Sequence, residues 1–230
     1  VEEPLLEPGS LLEERFRIEA HIASGGMGEV YRAAHVHLKR SVALKLLKRA
    51  LASDPEMWTR FQREAELVSQ LENPHVVRVF DFGRTQAGQP FLAMEYVEGT
   101  PLDAEVARGP LEPRRVVDII SQVCDGLAEA HALGIVHRDL KPPNIVLGKK
   151  RDGSELAKIL DFGIARASDK KADGKERLTQ AGMVVGTPMY LSPEQALGAA
   201  LDERTDLYSL GCVTYELLTA VEKLGHLVDE

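Results

Sequence analysis

Strand-like runs dominate this chain up to about residue 97, and helical patterns dominate beyond it. That switch constrains the fold more than any other feature, because it sorts strands into the front of the chain and helices into the rear. In the front, residues 17–22 and 29–35 read as strands broken by Ser24-Gly25-Gly26-Met27-Gly28. Residues 41–47 alternate, with Val42, Leu44 and Leu46 on one side and Ala43, Lys45 and Leu47 on the other. Runs at 76–80 and 91–96 add two strands around turn-forming residues 86–89. One helix interrupts them at 54–71: Asp54 suits the N-cap, Pro55 the first helical position, and Phe61, Ala65 and Val68 make an apolar stripe. In the rear, Pro113 opens and Gly134 closes a long helix with Val116, Ile120, Val123, Leu127 and His131 on one face. Short strands at 145–147 and 157–160 follow. A last helix, 206–220, is apolar on most sides and is expected to be buried. The implied organisation is a strand-rich front lobe, a junction near 95–99 and a helix-rich rear lobe.

Charge narrows the function classes. The 230 residues carry 28 basic and 36 acidic side chains, a net charge of −8, which argues against nucleic acid or an anionic membrane as main partner. No run of about 18 apolar residues is present to cross a bilayer. Residues 1–16 read as an acidic lead-in without periodicity, unlike a signal peptide. The chain opens on Val1, as a fragment does, and is expected to be cytoplasmic, with any membrane anchor of the parent downstream of residue 230. Cys124 and Cys212 sit in apolar helical patterns and are expected to be buried free thiols. Residues 166–180, polar and almost without apolar anchors, are expected to be mobile.

Three clusters carry chemistry. The glycine run lies between two strands, where missing Cβ atoms let backbone N–H groups approach phosphates, although a Gly-rich hairpin is also an ordinary turn. Lys45 shares a strand face with Ala43, and Glu64 lies between Phe61 and Val68 on the helix stripe. Either the two meet and Lys45 also reaches a phosphate, or they form a purely structural ion pair, or each extends to solvent. The most specific signal is His137-Arg138-Asp139-Leu140-Lys141-Pro142-Pro143-Asn144, in a loop between helix and strand. Asp139 is suited to accept a proton from a hydroxyl, Lys141 to neutralise charge on a moving phosphoryl group, and Asn144 to offer an amide oxygen to a hard cation. Asp161-Phe162-Gly163 adds a second oxygen ligand after the next strand. The ordered set points to phosphoryl transfer.

The chain resembles the eukaryotic-type protein kinases, and more narrowly the bacterial Ser/Thr kinases, in GGMGEVYRA, DFGIAR and GTPMYLSPEQ, over about residues 16–220. The resemblance implies an α+β, two-lobed kinase fold. Its parts are a lead-in at 1–16, an antiparallel-sheet N-lobe with one main helix at 17–94, a hinge at 95–99, a mainly helical and incomplete C-lobe at 100–220, and a divergent tail at 221–230. It implies ATP and Mg²⁺, with Mn²⁺ as the alternative ion, and protein substrates bearing Ser or Thr. By resemblance, ATP is held by Ile22, Ala23, Ser24, Gly25, Gly26, Met27, Gly28, Val30, Ala43, Lys45, Glu64, Met94, Glu95, Val97 and Val146. Met94 is the gatekeeper, Glu95 and Val97 give the hinge backbone, and Ile22, Val30, Ala43 and Val146 are the apolar slots around the base. Val42-Ala43-Leu44-Lys45 matches the strand whose lysine pairs with a helix glutamate, here Glu64, 19 residues later.

The family's roles carry over as Asp139, Lys141 and Lys45 in catalysis, Asn144 and Asp161 at the metal, and Asp206 as anchor of the loop. Arg138 would receive a phosphate on Thr179, with autophosphorylation in a homodimer, and Thr187 together with Lys141 marks the Ser/Thr class. Three departures stand out. Ala23 replaces the first glycine, Ala181 stands where relatives often carry a second threonine, and the chain ends as AVEKLGHLVDE. Glu194 is followed by a single arginine, Arg204, too near in sequence to be its family partner, so the rear lobe by itself is expected to be marginally stable. The alternatives are an ATP-binding pseudokinase or interaction module, and a small-molecule kinase, against which GTPMYLSPE speaks.

Overall fold

The front of the chain forms a curled antiparallel sheet. The computed structural model describes residues 6–25, 28–48, 55–162 and 188–221. Gly26, Met27, Asp54, Thr179, Thr187 and the segment 166–180 lie outside the described residues. The chain divides into two units, Val1–Gln70 with Val77–Val97, and Leu71–Val76 with Glu98–Glu230.

In the first unit the strands are β1 (Leu11–Leu12), β2 (Phe16–Gly25), β3 (Gly28–His35), β4 (Arg40–Leu47), β5 (Val79–Arg84) and β6 (Pro90–Glu95), in the order β1-β2-β3-β4-β6-β5. Period-two alternation turns one face inward: Phe16, Ile18, Tyr31, Ala33, Val42, Leu44, Leu46, Phe91 and Ala93 form the core. Leu6 and Leu12 pack on it too. The lead-in, read as unpatterned, thus contributes a strand, β1, which pairs with β2 through Leu11 and Leu12. The ion pair from Arg15 to Asp81, 2.5 Å, links the residue before β2 to β5 at the far end of the strand order. Helix α1 (Pro55–Ser69) buries Phe61, Ala65 and Val68 as its stripe requires. Phe61 meets Phe82 of β5 edge-on, and Arg84 lies 4.1 Å over the Trp58 ring.

The second unit has a small sheet, β7 (Thr100–Pro101), β8 (Ile145–Lys149) and β9 (Glu155–Ile159). Its helices are α2 (Leu102–Val106), α3 (Pro113–Ala132), α4 (Pro193–Ala196) and α5 (Arg204–Thr219). The run at 76–80 is not one strand. Val76 bridges Ile159 in parallel, and His75 O accepts from Ile159 N at 2.8 Å. Pairing with β9 claims Leu71–Val76 for the second unit, and β5 begins only at Val79. Helix α3 buries Val116, Ile119, Val123, Gly126, Leu127 and Ala130. A Cβ on Gly126 would lie 3.0 Å from Ile159 Cδ1 and 3.2 Å from His75 O, so this turn of the helix sits close on the sheet. The buried face is therefore rotated from the expected one: Ile120 and His131 are half-buried at its edge, and Cys124 is exposed rather than buried. Cys212 is buried as expected. Helix α5 also departs from expectation. It buries polar Thr205, Asp206, Ser209 and Glu216 beside Leu210, Cys212, Val213 and Leu217, while Leu207, Tyr208, Tyr215 and Leu218 remain exposed. Its polar residues turn inward because the groups they bind lie there.

Gly28 opens β3 with φ +148°, and a Cβ there would fall 1.9 Å from Leu46 O of the neighbouring strand. The constraint is backbone against backbone, so nothing can yield cheaply. Gly25, by contrast, would place its Cβ 3.8 Å from Gly28 O, an ordinary contact. Gly28→Ala should lower stability by at least about 2 kcal/mol, while Gly25→Ala should stay within about 0.5 kcal/mol of wild type. Urea midpoints of the two variants check this; equal midpoints would contradict it.

Candidate active site

In the first unit, sheet register gathers the residues singled out for ATP. Ala23 pairs with Val30, Val30 with Lys45 and Lys45 with Leu92, so these four form one row across β2, β3, β4 and β6. Two positions along, Ala43 pairs with Met94. Alternation puts Val30, Ala43, Lys45 and Met94 on the face opposite the core. Val30, Ala43 and Lys45 are half-buried and Met94 is buried. Ala23 pairs with Val30 just past a register irregularity at His21–Ala23 and has no positive φ, so its methyl group is accommodated at the first glycine position. Ile22, Ser24 and Gly25 are exposed on the same hairpin. Across it, Glu29 Oε2 accepts from Ser24 Oγ at 2.6 Å and meets His21 Nε2 at 2.7 Å. These bonds, Ser24 first, hold the Glu29 carboxyl below its ordinary range. Glu64 is half-buried on α1, in the same unit as Lys45. The Glu95 amide donates to Arg78 O at 2.8 Å, so Glu95 can address a base only through its carbonyl; Val97 is half-buried.

In the second unit the loop His137–Asn144 is fixed from below by Asp206, a fully buried side chain in the first turn of α5. Its Oδ2 accepts from the His137 amide at 2.8 Å and meets His131 Nε2 at 2.8 Å. Its Oδ1 accepts from the Arg138 amide at 2.8 Å. Burial alone would raise the Asp206 pKa; His131, the nearby His137 ring and the two amides outweigh burial and hold it below the ordinary range. Arg138 is thereby kept at φ +64°, and Asp161 stands at φ +51°. Each such non-glycine conformation costs about 1–3 kcal/mol. A hydrogen bond to an ionised group contributes about 1.5–3 kcal/mol, so two amides on one buried carboxylate suffice to hold Arg138 there.

The same loop is tied to the strand that leads to Asp161. His137 accepts the Asp139 amide at Nδ1, 3.2 Å, which leaves Nε2 to donate to Leu160 O at 2.8 Å. The Leu160 amide returns to Asn144 O at 2.8 Å, and the Phe162 ring lies 4.8 Å from that of His137. Within the loop, Lys141 Nζ stands 3.1 Å from Asp139 Oδ2. Asn144 Nδ2 donates to Asp139 O at 2.8 Å and approaches Oδ2 at 3.4 Å, so the Asn144 carbonyl oxygen is the atom it can offer a cation. Val146 is buried in β8 and pairs with Pro101.

Glu194 is not left unsatisfied. Its Oε1 accepts from Thr205 Oγ1 at 2.8 Å, and its pKa is lowered by its own backbone amide, then by Thr205 and Ser192. Arg204 begins α5 and pairs with Asp202 instead. Among the described residues no three His, Cys, Asp or Glu side chains converge as a metal site. Asn144 and Asp161 still fit a hard cation that keeps water and phosphate ligands, because both bring oxygen donors. Three contributors escaped the sequence reading: His131 on Asp206, the His137 ring on Leu160, and Gln195, whose Nε2 donates to Arg138 O at 2.8 Å. His137 stood in the motif and His131 on the helix face without these roles, and Gln195 had the Ser192-x-x-Gln195 spacing of a capping box.

Because the folded pKa of Asp206 is depressed, its contribution to stability is complete above the unfolded aspartate value, about 3.9, and is lost as pH falls through the folded value. Asp206→Asn should therefore destabilise the protein by on the order of 3 kcal/mol at pH 7. The gap to wild type should narrow as pH drops below about 4. Urea titrations across pH test this; a gap that stays constant into acid would count against an ionised anchor.

The family described as the protein kinase domain matches residues 16–227. Serine/threonine-protein kinase pkn3 of Myxococcus xanthus is 47% identical over 214 residues, which are 93% of this chain and 39% of that protein. Serine/threonine-protein kinase PknB of Mycolicibacterium smegmatis is 44% identical over 212 residues, 90% of this chain and 33% of that protein. The chain thus spans well under half the length of the curated relatives it matches. The crystal structure of the Mycobacterium tuberculosis PknI kinase domain superposes with a TM-score of 0.74 at 31% identity, covering 95% of this chain and 79% of that one. With its antiparallel-sheet unit, its mainly helical unit and these matches, the chain belongs to the protein kinase domain family.

Proposed function

We propose that this chain is the catalytic domain of a bacterial serine/threonine protein kinase, transferring the γ-phosphoryl group of ATP to Ser or Thr hydroxyls of proteins. The observation that carries the reading is the Asp139–Lys141–Asn144 cluster, with Lys141 Nζ 3.1 Å from Asp139 Oδ2, on a loop locked by Asp206. ATP and a divalent cation come with the family; Mg²⁺ as the ion, and Asn144 and Asp161 as its ligands, belong to the proposal. The cation, when bound, neutralises phosphate charge. Lys45, which by resemblance would pair with Glu64, and the hairpin Ile22–Gly28 with Val30 would orient the phosphates. Ala43 and Met94 would contact the base, with Glu95 and Val97 offering backbone groups to its edge. Asp139 aligns the acceptor hydroxyl and takes its proton as the new O–P bond forms and the bond from the γ-phosphorus to the bridging oxygen of ADP breaks. Lys141 balances charge on the phosphoryl oxygens in transit. Such catalysis depends on positioning and electrostatics, which the pinned loop supplies.

Control rests on Arg138. A phosphate on Thr179 would add about −2 charge and three acceptor oxygens for a guanidinium to receive. Autophosphorylation between two copies in the cytoplasm completes the reading, with Thr187 in a structural role.

Two outcomes test it. Asp139→Asn should leave ATP binding nearly intact and lower phosphoryl transfer by roughly 10²–10⁴, the usual share of a positioned base; wild-type turnover would remove Asp139 from the mechanism. Mass spectrometry after incubation with ATP should find phosphate on Thr179, and Thr179→Ala should slow substrate phosphorylation. Phosphate found only elsewhere, with an unimpaired Thr179→Ala, would sink the regulatory part.

A further inference from the structure

We infer that Gln195 is a positioning residue for phosphoryl transfer: its side chain holds the peptide plane that orients Asp139. The activity half of this inference rests on the kinase reading above; the structural half does not. The peptide between Arg138 and Asp139 has one donor and one acceptor, and both are held. Its N–H, on Asp139, points to His137 Nδ1 at 3.2 Å, and its carbonyl, on Arg138, accepts from Gln195 Nε2 at 2.8 Å. On the other side of the Arg138 Cα, the Arg138 amide is held by Asp206 at 2.8 Å. Both peptide planes flanking a residue at φ +64° are therefore fixed. A strained backbone persists only where its surroundings over-determine it. Of these restraints, the Gln195 bond is the one that comes from α4.

The orientation of the Gln195 amide is itself determined. Its Oε1 accepts from the Ser192 amide at 3.0 Å, and the Gln195 amide donates to Ser192 Oγ at 3.3 Å, the two bonds of a capping box. With the oxygen committed to Ser192, the nitrogen faces Arg138 O. Helix α4 is in turn fastened to α5 through Glu194 and Thr205, and the turn before it through Tyr190 O and Ser209 Oγ, each at 2.8 Å. A closed ring results: α5 holds the Arg138 amide, Gln195 holds the Arg138 carbonyl, and α4 returns to α5. The segment around Ser192–Gln195 is thus mechanically joined to the loop that carries Asp139.

Gln195→Glu separates the two jobs of this side chain. Glutamate also serves in capping boxes, so the bond from the Ser192 amide survives. The donor to Arg138 is lost, and a carboxylate is set against a carbonyl. Misplacement of a reacting group by about 1 Å can cost on the order of 10²-fold in rate. The variant should show kcat reduced roughly 10- to 100-fold, KM for ATP within about twofold of wild type, and a urea midpoint lowered by no more than the loss of one hydrogen bond explains. By NMR hydrogen exchange, the Asp139 amide should exchange faster while the Ser192 amide stays as protected as in wild type. Wild-type kcat together with wild-type exchange at Asp139 would overturn the inference. So would a loss of kcat that merely tracks a fallen midpoint and faster exchange at Ser192, because that is a structural cap. If the wild-type protein transfers no phosphate, the kinase reading fails, and exchange at Asp139 alone decides whether Gln195 holds this peptide.

Discussion

A single carboxylate buried under the His137–Asn144 loop is what the second unit depends on. Asp206 is fully buried, and both its oxygens take donors from one turn of backbone and from His131. Burying an ion without partners is prohibitive. Here the partners are the amides that must be held, so the burial energy and the loop geometry become one problem with one solution. The left-handed Arg138, the ring of His137 against Leu160 and Phe162, and the Asp139–Lys141 pair all follow from that anchor. The other inward polar residues of α5 have partners of their own, with Thr205, Ser209 and Glu216 meeting Glu194, Tyr190 O and Tyr190 OH.

The first unit works by a different principle. Among its described strands, register does the positioning. Because side chains alternate across a strand, fixing the inner face of β4 on Val42, Leu44 and Leu46 obliges Ala43 and Lys45 to face the other way. The ladder then lines Lys45 up with Val30 and Leu92, and Ala43 with Met94. Gly28 belongs to this scheme more than to phosphate recognition, since β3 can approach β4 at that point only without a Cβ. The two units therefore hold their proposed chemical groups by independent means.

What was legible in the sequence were features encoded within a few residues. Alternation at 41–47 sufficed for the face of Lys45, and the Phe61–Ala65–Val68 stripe for the buried side of α1. The His137–Asn144 string and Asp161 marked the loop and its neighbour by residue type and spacing alone. What escaped depends on partners distant in the chain. Val76 is apolar and β-branched like Val79, and only pairing with Ile159, far along the chain, assigns it to the other unit. The face of α3 is set by how closely Gly126 sits on Ile159 and His75, which rotates Cys124 outward. The inward polar face of α5 reads as an anomaly until Asp206, Ser209 and Glu216 have their acceptors and donors. His131 and Gln195 likewise act on residues 75 and 57 positions away.

The most direct measurement is a pH titration of the Asp206 side-chain carboxyl carbon by NMR, followed together with the amide protons of His137 and Arg138. An ionised anchor requires a midpoint below the free aspartate value of about 3.9, with both amide signals moving at that same midpoint. A midpoint above that value, or amides indifferent to the titration, would show that the carboxylate does not hold the loop.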